Sequence, residues 1–162
     1  MRLKDSIASA IQLRKDDKGQ QAFAMLQRLL KKQPNDARLN YQIAWTCDSA
    51  SQERQAVPYY EAALELGLAG EDLRGALLGL GSTYRTLGEY EKSAMTLKAG
   101  IEFFPEAREF QVFLAMACYN LGQHNEAMTL LLRTVAETSN DEGVQPFKEA
   151  ILFYSDKLDQ TW

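Results

Sequence analysis

The chain repeats itself with a period of 34 residues, and a period of that length leaves few folds open to it. Ala22 and Ala56 stand 34 apart, as do Leu80 and Leu114, Tyr84 and Cys118, Gly88 and Gly122, and Leu97 and Leu131. The dipeptide Leu87-Gly88 returns as Leu121-Gly122. From Ala56 to the matching Ser93 the spacing is 37, which places a three-residue insertion near Gly70–Leu73. With that insertion the chain reads as a single domain, 1–162, built of repeats at 3–36, 37–70, 74–107 and 108–141.

Within each repeat the apolar residues recur at helical spacing rather than alternating. In the third, Leu77, Leu80, Gly81 and Tyr84 share one helix face, and Tyr90, Ala94, Leu97 and Ile101 share a second. Gly88-Glu89 interrupts the two and Pro105 stops the second; glycine is common just past a helix end, and proline cannot continue a helix. Pro34 ends the first repeat in the same way, and Asn35-Asp36 offers a cap for the next helix. Each repeat therefore reads as helix, tight turn, helix. One such hairpin cannot bury its own apolar stripe, so neighbours must stack. Ala10, Ala44, Gly81 and Ala115 occupy one repeat position, and Ala22, Ala56, Ser93 and Ala127 another. Small residues there let helix axes approach closely, while Leu80 and Leu97 fill the space nearby. Past residue 141, Phe147, Ala150, Ile151 and Tyr154 restart the phase of Leu77, Leu80, Gly81 and Tyr84, which predicts a capping helix over about 144–159.

Composition narrows the function. At 46% hydrophobic and 25% charged, the chain is ordinary globular protein. No window approaches the length of apolar sequence that spans a bilayer. Asp5 and Ser6 leave no room for a signal-peptide core, so a cytoplasmic protein is expected. The net charge of −4 argues against general nucleic-acid binding, which needs a basic face. The charge is uneven, however: residues 1–34 carry a net of +5 and the rest −9. The basic first repeat keeps nucleic-acid binding as a lesser alternative, which salt-dependent binding to arbitrary DNA or RNA would favour.

No reaction chemistry is visible. His124 is the only histidine, so no dyad can be built on it. It stands where Tyr90 stands, at the start of a second helix, and reads as a residue packed in the hairpin turn, a pH switch being the alternative. Cys47 and Cys118 share one repeat position and read as buried thiols, redox sensing being the alternative. No phosphate-binding glycine loop, HExxH or GxSxG occurs. Asp16-Asp17 and Glu71-Asp72 read as solvated pairs at turns. No enzyme activity, cofactor or metal is expected.

These motifs resemble the tetratricopeptide repeat family over about residues 3–141. The third repeat carries the resemblance best, with Leu77, Leu80-Gly81, Tyr84, Gly88-Glu89-Tyr90, Leu97 and Pro105. The fourth keeps Leu114-Ala115, Gly122, Ala127 and Leu131 but has Ser139 in place of the proline. The second has Cys47 for the aromatic and Ser51 for the turn glycine, and the first has Ser6 and Ser9 where apolar residues are usual. The resemblance implies an all-α fold, a right-handed α-solenoid of four helix-turn-helix hairpins plus a C-terminal capping helix. It also implies a groove lined by the leading helices, which in the family holds extended or helical peptides.

Carried onto this chain, the groove positions are Lys4, Ile7, Ile11, Arg14 and Lys15 in the first repeat, and Arg38, Tyr41, Trp45, Asp48 and Ser49 in the second. The third gives Gly75, Leu78, Ser82, Arg85 and Thr86; the fourth gives Glu109, Val112, Met116, Tyr119 and Asn120; the cap adds Gln145, Lys148 and Leu152. Tyr41, Trp45, Met116 and Tyr119 are large residues on a face the fold need not bury, of the types that interfaces favour. Arg38 and Arg85 could hold a carboxylate in bidentate fashion. The plainer alternative is that the aromatics fill the inner curve and the arginines are solvated. Ile7, Ile11, Gly75 and Gly79 stand where members that bind acidic chaperone tails carry polar or basic groups, which argues against that specialised activity.

The expected function is a scaffold or adaptor that binds another protein or peptide. The alternative from another class is a ligand-responsive regulator in which a signalling peptide shifts the superhelix. At the C-terminus, Phe153 falls by repeat phase on the side that a second helix would cover in a complete repeat, and Leu158 and Trp162 lie close by. Either the tail folds back over Phe153, or this surface meets a second copy in a dimer. The opposite charges of the first repeat and the remainder allow a competing head-to-tail contact.

Overall fold

The computed structural model describes residues 3–162. Those residues form α1 (Leu3–Lys15), α2 (Gly19–Leu30), α3 (Ala37–Asp48), α4 (Glu53–Glu65), α5 (Gly70–Thr86), α6 (Tyr90–Phe103), α7 (Glu109–Asn120), α8 (His124–Thr138) and α9 (Lys148–Tyr154), with a 3-10 turn at Gln145–Phe147. No strand occurs among the described residues. The chain divides after Gly88 into two compact units, the first holding α1–α5 and the second α6–α9. The leading helix of the third repeat thus belongs to the first unit and its second helix to the second.

The repeat turns are built alike. After α1, the Lys18 N–H donates back to the Leu13 carbonyl at 2.9 Å; after α3, Gln52 N–H reaches Cys47 at 3.0 Å; after α7, Gln123 N–H reaches Cys118 at 2.9 Å. This closure ties up carbonyls at the helix end and requires left-handed backbone one residue earlier. The residue there is Asp17 (φ 57°), Ser51 (φ 56°) and Gly122 (φ 75°), and Gly88 (φ 81°) is the same repeat position in the third repeat. The turn geometry is therefore kept where glycine is not.

In the first unit, α1 through α4 each pack on the next helix in sequence, and α1, α3 and α5 also lie side by side. Asp36 caps α3, its carboxylate accepting from the Leu39 N–H at 2.8 Å. Leu26, Leu39, Ile43, Tyr60 and Leu80 belong to the core, and Ala10, Ala44 and Ala56 are buried in it. Ile7 is part of that core rather than of an open face, because its side chain turns toward the stack. The three-residue insertion is not a loop: α5 starts at Gly70 and runs 17 residues, so the extra length lies within the helix. Glu71 and Asp72 accordingly sit in its first turn, not in a turn between helices, where negative charge suits the helix dipole. Further along α5, a Cβ at Gly75 would collide with the Tyr41 hydroxyl and one at Gly79 with the Tyr60 hydroxyl. Two glycines spaced one turn apart are what let two tyrosines close onto this helix.

In the second unit, α6 packs on α7, α7 on α8 and α8 on α9. Leu97, Phe110, Leu114, Cys118 and Ala127 are buried. The Phe104 and Phe110 rings stack at 6.3 Å. The cap helix is shorter than the sequence suggests. Pro146 stands in the preceding 3-10 turn, and past Tyr154 the Ser155 hydroxyl donates to the Leu152 carbonyl at 2.8 Å and the Lys157 ammonium to Phe153 at 2.9 Å. Side chains thus take the carbonyls that a longer helix would use.

Candidate functional site

Arg38, Tyr41, Trp45 and Asp48 follow one another at spacings of 3, 4 and 3 and so form one stripe along α3, between α1 and α5. Trp45 is exposed at 44%, and Arg38 is exposed as well. The Arg14 guanidinium lies over its ring, 4.0 Å from the centroid, a cation–π contact. The same Arg14 nitrogen donates to Gln42 Oε1 at 3.1 Å and Thr46 Oγ1 at 3.3 Å, which fixes it in place. Tyr41 packs 5.8 Å from Trp45 between ring centroids. The indole is thereby held between α1 and α3 with part of its surface open.

Tyr41 itself departs from expectation. It is only 5% exposed, because its hydroxyl occupies the space left by Gly75. Burial, with Asp72 close by, pushes its hydroxyl up to about 12. Tyr41 supports the face instead of offering contact area. Arg38 differs too. Its Nε meets the Asp72 carboxylate at 3.1 Å, so the carboxylate it was expected to take from a ligand is already supplied by α5. Leu78 and Arg85 lie half-buried on α5.

Asp48 closes the stripe. Its carboxylate accepts from the Tyr60 hydroxyl of α4 at 3.2 Å and from Thr83 Oγ1 of α5 at 3.1 Å. Burial raises its carboxyl above the ordinary value, the two hydroxyl bonds oppose that, and Glu53 adds to the rise. Tyr60, Thr83 and Asp72 were not among the residues expected at this face. The signal that points to them is the Gly75–Gly79 pair on α5, since two small residues one turn apart ask which large residues approach.

The second unit has its own surfaces. On α7, Val112 and Met116 are half-buried, and Tyr119 and Asn120 are exposed. The Tyr119 ring packs 5.0 Å from His124 across the α7–α8 turn, which is where the histidine was expected to pack, although His124 stays exposed. Lys148 is exposed at the start of α9. At the end of the chain the Trp162 ring comes back to lie 6.2 Å from Phe153 and 5.6 Å from Tyr154. The cover is partial: Phe153 remains 53%, Leu158 51% and Trp162 79% exposed. Asn125 of α8 holds the tail by donating to the Asp159 carboxylate. Cys47 and Cys118 are buried, as expected, and burial pushes the Cys47 thiol up to about 11, away from a reactive thiolate. Among the described residues, no group of three or more His, Cys, Asp or Glu could hold a metal ion, and no helix is long and apolar enough to cross a membrane.

Two solved structures resemble this fold along almost its whole length. One, described as a MamA RS-1 ArsTM double mutant, superposes with a TM-score of 0.70 at 14% identity, over 97% of this chain and 96% of that one. The other, YrrB, described as a TPR protein with an unusual peptide-binding site, gives a TM-score of 0.67 at 17% identity, over 96% of this chain and 86% of that one. At these identities the likeness concerns the fold alone. No curated protein matches the chain. The family model described as tetratrico peptide repeat matches residues 37–156. That match takes in most of the chain, the repeat phase and the helical hairpins agree with it, and the chain belongs to the tetratricopeptide repeat family.

Proposed function

We propose that the face formed by α1, α3 and α5 holds a segment of another protein, and that the chain works as a scaffold or adaptor. Trp45 carries this reading. Its indole stays open at 44% although Arg14 and Tyr41 hold it rigidly. An aromatic ring that is already ordered loses little freedom on binding, and such anchors supply much of the energy of protein interfaces. Leu78 and Arg85 extend the face across α5. The solved relative described with a peptide-binding site supports peptide capture as the mode. In the second unit, Val112, Met116, Tyr119 and Asn120 of α7, with Lys148 of α9, form a separate candidate contact surface.

The test is a pull-down from native extract with wild type and with Trp45→Ala combined with Arg85→Ala. Loss of the captured partner with a melting temperature changed by only a few degrees is the expected result. Full capture by the double variant would mean that the partner uses another face.

A second proposal rests on the partial cover of Phe153, Leu158 and Trp162. This aromatic surface meets a second copy of the chain, since exposed apolar patches on globular proteins commonly mark contacts.

A further inference from the structure

Among the described residues, one carboxylate of the α3 face stands without an ion pair. Arg38 is paired with Asp72 across 3.1 Å, whereas Arg14 lies over the Trp45 ring with one nitrogen turned to the uncharged Gln42 and Thr46 and keeps its positive charge. Asp48 has no such counterpart. Its two partners, Tyr60 and Thr83, are uncharged hydroxyls, and no ion pair to it occurs among the described residues. The charged group that acts on it is Glu53, which is also negative. Asp48 further occupies the last position of α3, where the helix dipole adds negative potential. A half-buried carboxylate without a cation is costly to keep ionised, and protein chains ordinarily pair such a group. Two hydroxyls from two different helices orient it instead, and each oxygen retains a further lone pair that can accept.

We infer that Asp48 is the recognition point for a cationic side chain, lysine or arginine, of the segment bound on the α1–α3–α5 face. Trp45 precedes it by three residues and lies on the same side of α3, so the apolar stem of the incoming side chain packs on the indole while its charged end reaches the carboxylate. The bond replaces water on Asp48 with a charge-assisted partner in a half-dry site, where such contacts are strongest. This inference rests on the reading of the face as a peptide site, and it reverses the sign of ligand charge that the basic first repeat suggests.

The experiment uses immobilised twelve-residue peptides that carry one variable position, occupied by Lys, Arg, Gln or Glu in an otherwise neutral apolar sequence library. Wild type, Asp48→Asn and Trp45→Ala are compared on the same array. Asparagine can still accept from one hydroxyl and donate to the other, so this variant keeps the tether between α3, α4 and α5. The expected result is that wild type retains Lys and Arg peptides at least about tenfold better than their Glu counterparts, a difference of about 1.4 kcal/mol. Asp48→Asn should bring that ratio close to one, and Trp45→Ala should lower retention of all four classes. The selectivity ratio is read within one variant, so a loss of stability alone does not move it. Binding that Trp45→Ala abolishes but that shows no basic preference, or a preference unchanged in Asp48→Asn, overturns the inference and leaves the peptide face standing. Retention of no peptide by wild type overturns both.

Discussion

Ser51→Gly should stabilise this protein, and Gly122→Ser should destabilise it by a similar amount. The two residues occupy the same repeat position after α3 and α7, at φ 56° and 75°. Both follow the same closure, with Gln52 N–H on the Cys47 carbonyl and Gln123 N–H on Cys118. A residue with a Cβ loses roughly 1–2 kcal/mol in left-handed backbone. Glycine avoids that but gives up more freedom on folding, a term of roughly 0.5–1 kcal/mol. The difference leaves a gain of about 0.5–1 kcal/mol for Ser51→Gly, close to the range of backbone substitutions at compatible sites. Nothing else obscures the comparison. Ser51 is exposed and no hydrogen bond of its hydroxyl opposes the change, and a Cβ added at Gly122 meets no atom within 4 Å. For a chain of this size the shift in melting temperature is about 1–4 °C, upward for Ser51→Gly and downward for Gly122→Ser. Thermal unfolding followed by helical circular dichroism reads both. The substitutions lie in different units, so if two transitions are resolved, Ser51→Gly should move the one belonging to α1–α5. A lower melting temperature for Ser51→Gly, or no loss for Gly122→Ser, would refute the claim that the turn imposes this conformation on whichever residue occupies it.

Leu97 is fully buried, so Leu97→Ala should leave a cavity and cost roughly 2–5 kcal/mol in a urea titration. Ala127→Leu should overpack a close helix contact and cost roughly 1–3 kcal/mol by the same measurement. Asp48 binds its proton more tightly in the folded chain than in the unfolded one, so its contribution to stability is present at acid pH and is lost as pH rises through the folded value. Asp48→Asn should therefore melt above wild type near neutrality, with the gap closing as the solution is acidified toward the carboxylate range. Sedimentation of wild type and Phe153→Glu at low and high salt tests self-association: the expected dimer is lost in Phe153→Glu, whereas a dimer lost only in salt would implicate the oppositely charged ends instead.

The hairpins and their turns were legible because a repeated backbone writes the same residue types at the same interval. Even so, glycine marked only half of the turns. Asp17 and Ser51 adopt the same left-handed backbone as Gly88 and Gly122, and the bonds that close the turns after α1 and α3 match the one after α7. The capping helix was legible in phase but not in length, because its end is set by Ser155 and Lys157 bonding back to the carbonyls of Leu152 and Phe153. Neither residue belongs to the repeat. Glu71-Asp72, beside the insertion, read as a solvated pair at a turn; in place they lie in the first turn of α5, and Asp72 pairs with Arg38.

The face shows why periodicity reaches the scaffold and stops short of the chemistry. A repeat position determines which way a side chain leaves the helix, and Arg38, Tyr41, Trp45 and Asp48 share one stripe of α3. It does not determine what arrives from the neighbouring helix. Tyr41 is buried because Gly75, one repeat later, lacks a side chain, and Tyr60 reaches Asp48 across the room left by Gly79. Those are relations between non-equivalent positions in different repeats, and no internal self-similarity records them. Charge behaves in the same way. The first repeat is basic in composition, yet its Arg14 is turned to uncharged partners, and in the second repeat Asp48 is a carboxylate held by two hydroxyls with no ion pair among the described residues. The sign of a ligand should therefore be inferred from charges left over after pairing rather than from the residues that line a face. Removing Asp48 should improve the fold near neutral pH while erasing the preference for cations, and the two readouts together separate a structural carboxylate from a recognition one.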